Sequence, residues 1–229
     1  MKHLLVAIAL IAVCTAPAFA QERSLTDPRG YLTGLGGFSV ALGNSTGNTL
    51  LEGGVRIAPH VMVFGTLGHY SNLKADLQST IDATTASLTQ NQGLDVTGSG
   101  SVPATYGLGG LRVEIPAGRH FAPYVLGGFG VARLDPSAQF SYAGGVMPDG
   151  TQPEVGTDVT SSLTSASLVA DLPASNEHMM TFGGGVQIPV AAHWAVDAGY
   201  RYGRIGSDAS LNTGAVNTNG MAFGFGYRF

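Results

Sequence analysis

The chain has 229 residues, of which 34 are glycine and only 11% are charged, with a formal charge of −4. Low charge and high glycine suit a small barrel better than a soluble enzyme. The mildly acidic balance, about −5 without Lys2, argues against nucleic acid as a partner.

Lys2 and His3 precede an apolar run from Leu4 to Val13, followed by Pro17 and the small-residue site Ala18-Phe19-Ala20. This is the layout of a secretory signal peptide over residues 1–20, cut before Gln21. Its apolar run, about ten residues, is too short to span a bilayer as a helix, and no later stretch is long enough. Cys14 is the only cysteine and leaves with the signal; the bulky Val13 before it speaks against lipidation there. The mature chain then has no thiol, so neither a disulfide nor a cysteine-based metal or catalytic site is expected, and no cofactor is implied. Residues 21–29 read as a short periplasmic lead-in and 30–229 as one barrel domain.

A first strand is expected near residues 30–42. Three segments then repeat one theme: a Gly-Gly strand, a Pro-containing turn and a second strand. They start at Gly53-Gly54, Gly109-Gly110 and Gly184-Gly185, and turn near Pro59, Pro116 and Pro189. Proline lacks a donor and belongs at strand ends, so these are hairpins with tight turns. The expected strands are about 30–42, 49–58, 60–71, 103–115, 120–134, 178–188, 193–205 and 217–229, each near the length that crosses a bilayer when tilted. An even count puts both ends of the chain on one side, with the short turns periplasmic and the long loops extracellular. The outer connections are a short one near 43–48, long ones near 72–102 and 135–177, and a medium one near 206–216. In the long loops Leu73, Leu77, Ile81 and Leu88, and likewise Val159, Leu163 and Leu168-Val169, approach helical spacing. A short amphipathic helix in each is one reading, and mobile loop with scattered apolar residues is the other.

Parity assigns the faces. Leu51, Val55 and Ile57 face out while Glu52 and Arg56 face in; Leu111, Val113 and Ile115 face out while Arg112 and Glu114 face in. Met180, Phe182, Val186 and Ile188 face out and Gln187 in; Trp194, Val196, Ala198, Tyr200 and Tyr202 face out, with Asp197 and Arg201 in, and Arg228 in on the last strand. The fifth strand is ambiguous, since Tyr124-Leu126 competes with Phe121-Val125-Phe129; Arg133 favours an odd lumenal set. Charges facing lipid at mid-depth would each cost roughly 2–4 kcal/mol, so a lumenal network of Glu52, Arg56, Arg112, Glu114, Asp197, Arg201 and Arg228 is expected. Eight strands make a barrel just wide enough for side chains to fill, so this network reads as a salt-bridged plug, with a gated ion path as the functional alternative. Inner-face glycines (Gly54, Gly110, Gly185, Gly224, Gly226) would leave room for the bulky Arg and Glu side chains. His60, His120 and His193 recur beside the tight turns and read as interfacial polar residues around the rim.

The chain closes on Met221-Ala-Phe-Gly-Phe-Gly-Tyr-Arg-Phe229, in which large apolar residues alternate strictly with small or polar ones. An aromatic face of this kind would be penalised by water and favoured by lipid. With Trp194, Tyr200 and Tyr202 it would supply aromatic girdles at the membrane interfaces. The signal peptide, the eight strands, the Trp-Ala-Val-Asp-Ala-Gly-Tyr-Arg-Tyr strand and the terminal Tyr-Arg-Phe resemble the small bacterial outer-membrane β-barrel families: the OmpA-like transmembrane domain, the OmpX/Ail type and the opacity-protein type. The resemblance implies an all-β fold: an eight-stranded antiparallel up-and-down transmembrane β-barrel in the bacterial outer membrane, among lipid and lipopolysaccharide. It also implies that Phe225, Tyr227 and Phe229 are the signal read by the barrel-assembly machinery.

Three functions fit. The first is a non-catalytic structural or surface-interaction role, in adhesion or envelope integrity, with an unknown extracellular ligand held by the long loops. The second is a narrow small-solute or ion pore. The third is a lipid A-modifying enzyme: His69-Tyr70-Ser71-Asn72 is similar to the His-x-Ser-Asn stretch of lipid A deacylase barrels, but it sits on the third strand and no Glu follows at a suitable distance.

Overall fold

The structure, a computed structural model, describes residues 28–73, 77–115, 117, 121–206 and 215–229. The expected signal peptide, most of the lead-in, Pro116, His120 and most of the 206–216 connection lie outside these residues. Eight strands carry the sequence alternation: β1 (Gly30–Ala41), β2 (Asn44–Ala58), β3 (Val61–Tyr70), β5 (Ala104–Glu114), β6 (Ala122–Leu134), β8 (Ser175–Pro189), β9 (Trp194–Ile205) and β10 (Val216–Arg228). Each pairs antiparallel with the next, and β10 closes on β1. Closure leaves no unpaired edge, which a hydrocarbon environment requires of any sheet within it. No described helix is long and apolar enough to cross a membrane; the crossing elements here are strands.

The partners Tyr31, Gly54, Phe64, Gly110, Gly128, Thr181, Gly203 and Thr218 form a complete circuit that returns to β1 at Ala41. A register that climbs this far in one turn means steeply tilted strands, about 35–45° to the axis for barrels of this size. Outward residues such as Leu32, Phe38, Leu51, Leu67, Leu111, Phe129, Phe182 and Phe223 are about half exposed and form a continuous apolar belt.

The ambiguous strand is resolved against Arg133. On β6, Tyr124, Leu126, Ala132 and Leu134 are buried, while Val125, Phe129, Val131 and Arg133 face out. Cross-strand partners share a face, and Arg112 and Glu114 pair with Leu126 and Tyr124, so an inward Arg112 fixes the even set as lumenal. Arg133 tolerates the outward face because it stands at the loop end of the strand, where its Nε donates to Asp135 at 3.0 Å.

The connection expected over 43–48 is instead a two-residue turn. Leu42 (φ 48°) and Gly43 (φ 80°) both occupy the left-handed region, as the mirror-image hairpin turn that matches strand twist demands. β2 therefore begins at Asn44.

The two long connections are ordered. Helix α1 (Leu77–Gln92) buries Leu77, Ile81 and Leu88, and a short helix α2 (Thr160–Ser165) buries Leu163. Leu168 and Val169 pack on the same core from outside any helix. Two further strands, β4 (Asp95–Ser101) and β7 (Ser137–Gly144), pair with each other. They prolong the β5–β6 ribbon beyond the barrel, interrupted at Pro103 and Pro136, where missing N–H donors end the ladder. At the break Asp135 N–H still donates to the Pro103 carbonyl at 3.0 Å, and Leu73 N–H to the Val102 carbonyl at 2.8 Å, tying both loops at their bases. Helix α1 lies on β4 because Gly98 and Gly100 carry no Cβ: one there would run into Ile81 and Leu77. Gln78 of the helix also bonds the backbone of β4, donating to the Gly98 carbonyl at 3.2 Å and accepting from Gly100 N–H at 3.1 Å.

Candidate functional site

The lumen contains a compact charge cluster centred on Arg112, whose side chain is fully buried. Its guanidinium nitrogens lie 3.5 Å from Glu52, 3.6 Å from Glu114 and 3.6 Å from Asp197. The tyrosine rings of Tyr124 (3.6 Å to the centroid) and Tyr31 (4.5 Å) sandwich it. Both are cation–π contacts, which gain strength when water is excluded. Glu52 is held further by Arg201 at 2.7 Å, by Tyr31 Oη at 2.8 Å and by Thr66 Oγ1 at 3.1 Å. Asp197 accepts from Tyr124 Oη at 2.6 Å, and Glu114 pairs with Arg56 at 3.2 Å. Three carboxylates thus face three guanidiniums. Arg228 is inward and nearly buried at the turn end of β10, while its backbone carbonyl meets His193 Nδ1 at 3.1 Å.

All seven expected lumenal charges therefore lie on the inner face, and the contacts above join Glu52, Arg56, Arg112, Glu114, Asp197 and Arg201 in one network. The sequence reading missed the tyrosines that complete it. Tyr31 looked no different from its inward neighbours Thr33 and Leu35, and Tyr124 sat on the strand whose parity was ambiguous. Among the inner-face glycines, Gly54 and Gly185 lie against tyrosines and not against the Arg and Glu side chains expected. A Cβ on Gly54 would strike the Tyr31 ring, and one on Gly185 would come within 2.7 Å of Tyr124 Oη. These two make room for tyrosine, whereas a Cβ on Gly110 or Gly224 would run into the neighbouring strand's backbone at Gly127 or Gly34, and one on Gly226 into Thr33.

Above the charges lies a second layer. Tyr70 and Tyr106 pack with their rings tilted by 32° and centroids 5.1 Å apart; Tyr70 Oη lies 3.2 Å from Thr218 Oγ1, and Tyr106 Oη donates to Asn48 at 3.1 Å. From there one apolar cluster runs without a break out of the barrel. Leu134, Met179 and Ile205 inside the mouth meet Leu73, Val102 and Leu94, then Ile81, Phe140 and Leu163 in the loops. The described loop residues thus share one core with the mouth of the barrel.

The loop surface has its own electrostatic character. Across 72–102 and 135–177, Lys74 is the only cation against Asp76, Asp82, Asp95, Asp135, Asp149, Glu154, Asp158, Asp171 and Glu177. The Thr151 hydroxyl and amide hold the Asp149 carboxyl below its usual range, and Thr160 does the same for Asp158. A shallow pocket of about 470 Å³ opens here, lined by Met147, Asp149, Ser161, Ser162 and Ser165.

The remaining expected residues are placed as follows. Trp194 stacks on Phe225 (4.9 Å) and meets Tyr227 edge-on (5.3 Å), and Tyr227 stacks on His193 and Phe229, all on the outer face at the turn end. Tyr200 and Tyr202, nearer the loop end, donate to Asn219 and Asn217. His60 is exposed at its turn. His69 Nδ1 lies 3.2 Å from Thr105 Oγ1, and the Ser71 hydroxyl is not hydrogen-bonded to it among the described residues. No cluster of His, Cys, Asp or Glu able to hold a metal is found among the described residues.

A closed eight-stranded barrel with an apolar belt and charged lumen has counterparts among known proteins. The family model for the outer membrane protein beta-barrel domain matches residues 6–229. The chain belongs to that family. Its place is the bacterial outer membrane, in contact with lipid and lipopolysaccharide. Neisserial surface protein A shares the fold at 16% identity and a TM-score of 0.55, covering 87% of this chain and 97% of its own. OprG of Pseudomonas aeruginosa (13% identity, TM-score 0.47, 90% and 99% covered) and the attachment invasion locus protein Ail of Yersinia pestis (14%, 0.47, 89% and 100%) are also similar structures. No curated protein sequence matches the chain.

Proposed function

We propose that this outer-membrane barrel is a non-catalytic surface protein, whose loop subdomain presents a polar, acidic binding surface to the outside of the cell. The observation that carries this reading is the apolar core running from the barrel mouth into the loops. It spends the lumen on anchoring a rigid extramembrane structure, and recognition is commonly carried by segments that a rigid scaffold holds in place. In this reading the short turns and both chain ends are periplasmic, and residues 1–20 are the cleaved signal. Phe225, Tyr227 and Phe229 engage the barrel-assembly machinery, and Trp194, Tyr200 and Tyr202 sit in the interfacial girdles. The adhesion partner would be basic, since the loops offer it carboxylates and hydroxyls and almost no cations.

A second reading, a narrow ion path, has one observation in its favour: the Arg112 nitrogens approach their carboxylates only to 3.5–3.6 Å and form no hydrogen bonds, so the central cation is held less closely than the groups around it. A planar-bilayer recording of the refolded protein separates the two. The surface reading expects a silent wild type, together with loss of cell-surface adhesion when Asp149, Glu154 and Asp171 are changed to Lys. Steady wild-type conductance altered by Arg112→Ala, with adhesion indifferent to the loop charges, would replace it with the pore.

A further inference from the structure

The shallow pocket of about 470 Å³ in the loop subdomain lies between the turn over residues 147–150 and helix α2. Both walls are fixed from behind. Met147 N–H donates to the Thr151 carbonyl at 3.0 Å and Gly150 N–H to the Met147 carbonyl at 2.8 Å. Gly150 (φ 82°) supplies the left-handed geometry that this turn requires. Met147, Val159 and Leu163 belong to the core that joins the loops to the barrel mouth. The pocket is therefore preformed, and a ligand need not order it.

Its lining combines the Asp149 carboxylate, the hydroxyls of Ser161, Ser162 and Ser165, and apolar surface of Met147 and Ala166. The threonines of α2 spend their hydroxyls on backbone: Thr160 accepts from Phe140 N–H at 2.8 Å, and Thr164 donates to the Thr160 carbonyl at 2.9 Å. The three serine hydroxyls make no hydrogen bond among the described residues. Ser161 and Ser165, four apart, are neighbours on the helix surface. At Asp149, Thr151 donates its hydroxyl (2.6 Å) and its amide (3.0 Å) to the same oxygen, Oδ1. Oδ2 accepts from no other described residue.

That division selects among cations. A guanidinium grips a carboxylate with two parallel N–H bonds, one to each oxygen, and here both lone pairs of Oδ1 are already engaged. A primary ammonium instead needs single acceptors in three directions, and one carboxylate oxygen with hydroxyls beside it supplies them. The methylene stem behind the ammonium can cover the Met147 thioether and Ala166. Lys74 is the only competing cation in the two long loops. Because the pocket is shallow, it admits a group that stays tethered at its far end.

We infer that this pocket receives a lysine side chain projecting from a protein partner, with its ammonium between Asp149 Oδ2 and the hydroxyls of Ser161, Ser162 and Ser165. The assignment rests on the reading of the loops as a surface for a basic partner, and it names the group that the surface selects.

The test follows the Met147 methyl resonance in methyl-labelled protein refolded in detergent, assigned with Met147→Leu. The titrants are capped glycine pentapeptides carrying one central lysine or one central arginine. Wild type should bind the lysine peptide about fivefold more tightly than the arginine peptide, the scale of one exposed charge pair. Asp149→Asn should weaken the lysine peptide by a similar factor, and Ser161→Ala with Ser165→Ala should bring the two peptides level. These side chains are exposed, and heat-modified gel mobility verifies that each variant is folded. Equal affinities in wild type, or a preference untouched by the serine changes, overturn the assignment. So does pentylammonium that shifts the resonance at the same concentration as the lysine peptide, which would mark a site for a free amine. Oligolysine that binds wild type and Asp149→Asn alike removes this pocket but leaves the acidic surface standing. Oligolysine that binds neither removes the surface, and the pocket with it.

Discussion

Arg112→Ala is the perturbation that most directly probes the lumen. Removing this guanidinium does not orphan its three carboxylates equally. Glu52 retains Arg201 at 2.7 Å with the Tyr31 and Thr66 hydroxyls, and Glu114 retains Arg56 at 3.2 Å. Asp197 retains only the Tyr124 hydroxyl in direct contact, so one buried carboxylate is left without a cation at ion-pair distance among the described residues. Breaking a buried pair in this way costs about 3–5 kcal/mol. Loss of the Tyr31 and Tyr124 cation–π contacts lies within that figure and is not added to it. The assay is equilibrium urea unfolding in lipid vesicles, read from Trp194, the only tryptophan of the chain, whose ring faces outward. The asymmetry supplies the sharper test. Asp197→Asn in the Arg112→Ala background should recover at least half of the loss, and Glu114→Gln should recover none, because it strands Arg56. If the two second changes rescue alike, or if Arg112→Ala alone costs less than about 1 kcal/mol, the cluster is solvated and the reasoning from burial fails.

Tyr124→Phe removes the 2.6 Å hydrogen bond to Asp197 but keeps the ring over Arg112, and a loss of about 1.5–3 kcal/mol is expected in the same unfolding assay. Gly98→Val puts a branched side chain under Ile81; α1 should lift, with faster amide exchange across Leu77–Gln92 and little change in barrel unfolding. Gln78→Leu strips the backbone of β4 at Gly98 and Gly100 of its side-chain partner, so self-association of the purified protein by light scattering should rise; a variant that stays monomeric would show that the helix alone shields the strand.

The barrel was legible because lipid reads a strand residue by residue. With strands alternating between hydrocarbon and a narrow lumen, parity alone placed Glu52, Arg112, Glu114, Asp197 and Arg201 inside and Leu51, Leu111 and Phe225 outside. The terminal aromatic face and the repeated Gly-Gly hairpins fixed strand number and order for the same reason. Arg133 shows where that rule stops: beyond the hydrocarbon a charge can face outward at no great cost, so it says nothing about parity. Only the pairing of β6 with β5, which ties Tyr124 to Glu114, could decide the strand.

The loops lay further from reach. Leu77, Ile81 and Leu88 announced a helix by their spacing, but β4 has the sequence Asp-Val-Thr-Gly-Ser-Gly-Ser, without an apolar face. It is a strand because β7 is beside it and α1 lies over its glycines, and neither fact is local. The sequence by itself determined a membrane barrel with a charged interior, because solvent on the two faces of each strand is a one-dimensional constraint. Which carboxylate each arginine serves, that tyrosine rings complete the cluster, and that the loops grow from the lumen as one core were decided by tertiary structure. Those depend on which residues a steep register brings level across the barrel, and no segment of the chain encodes that alone.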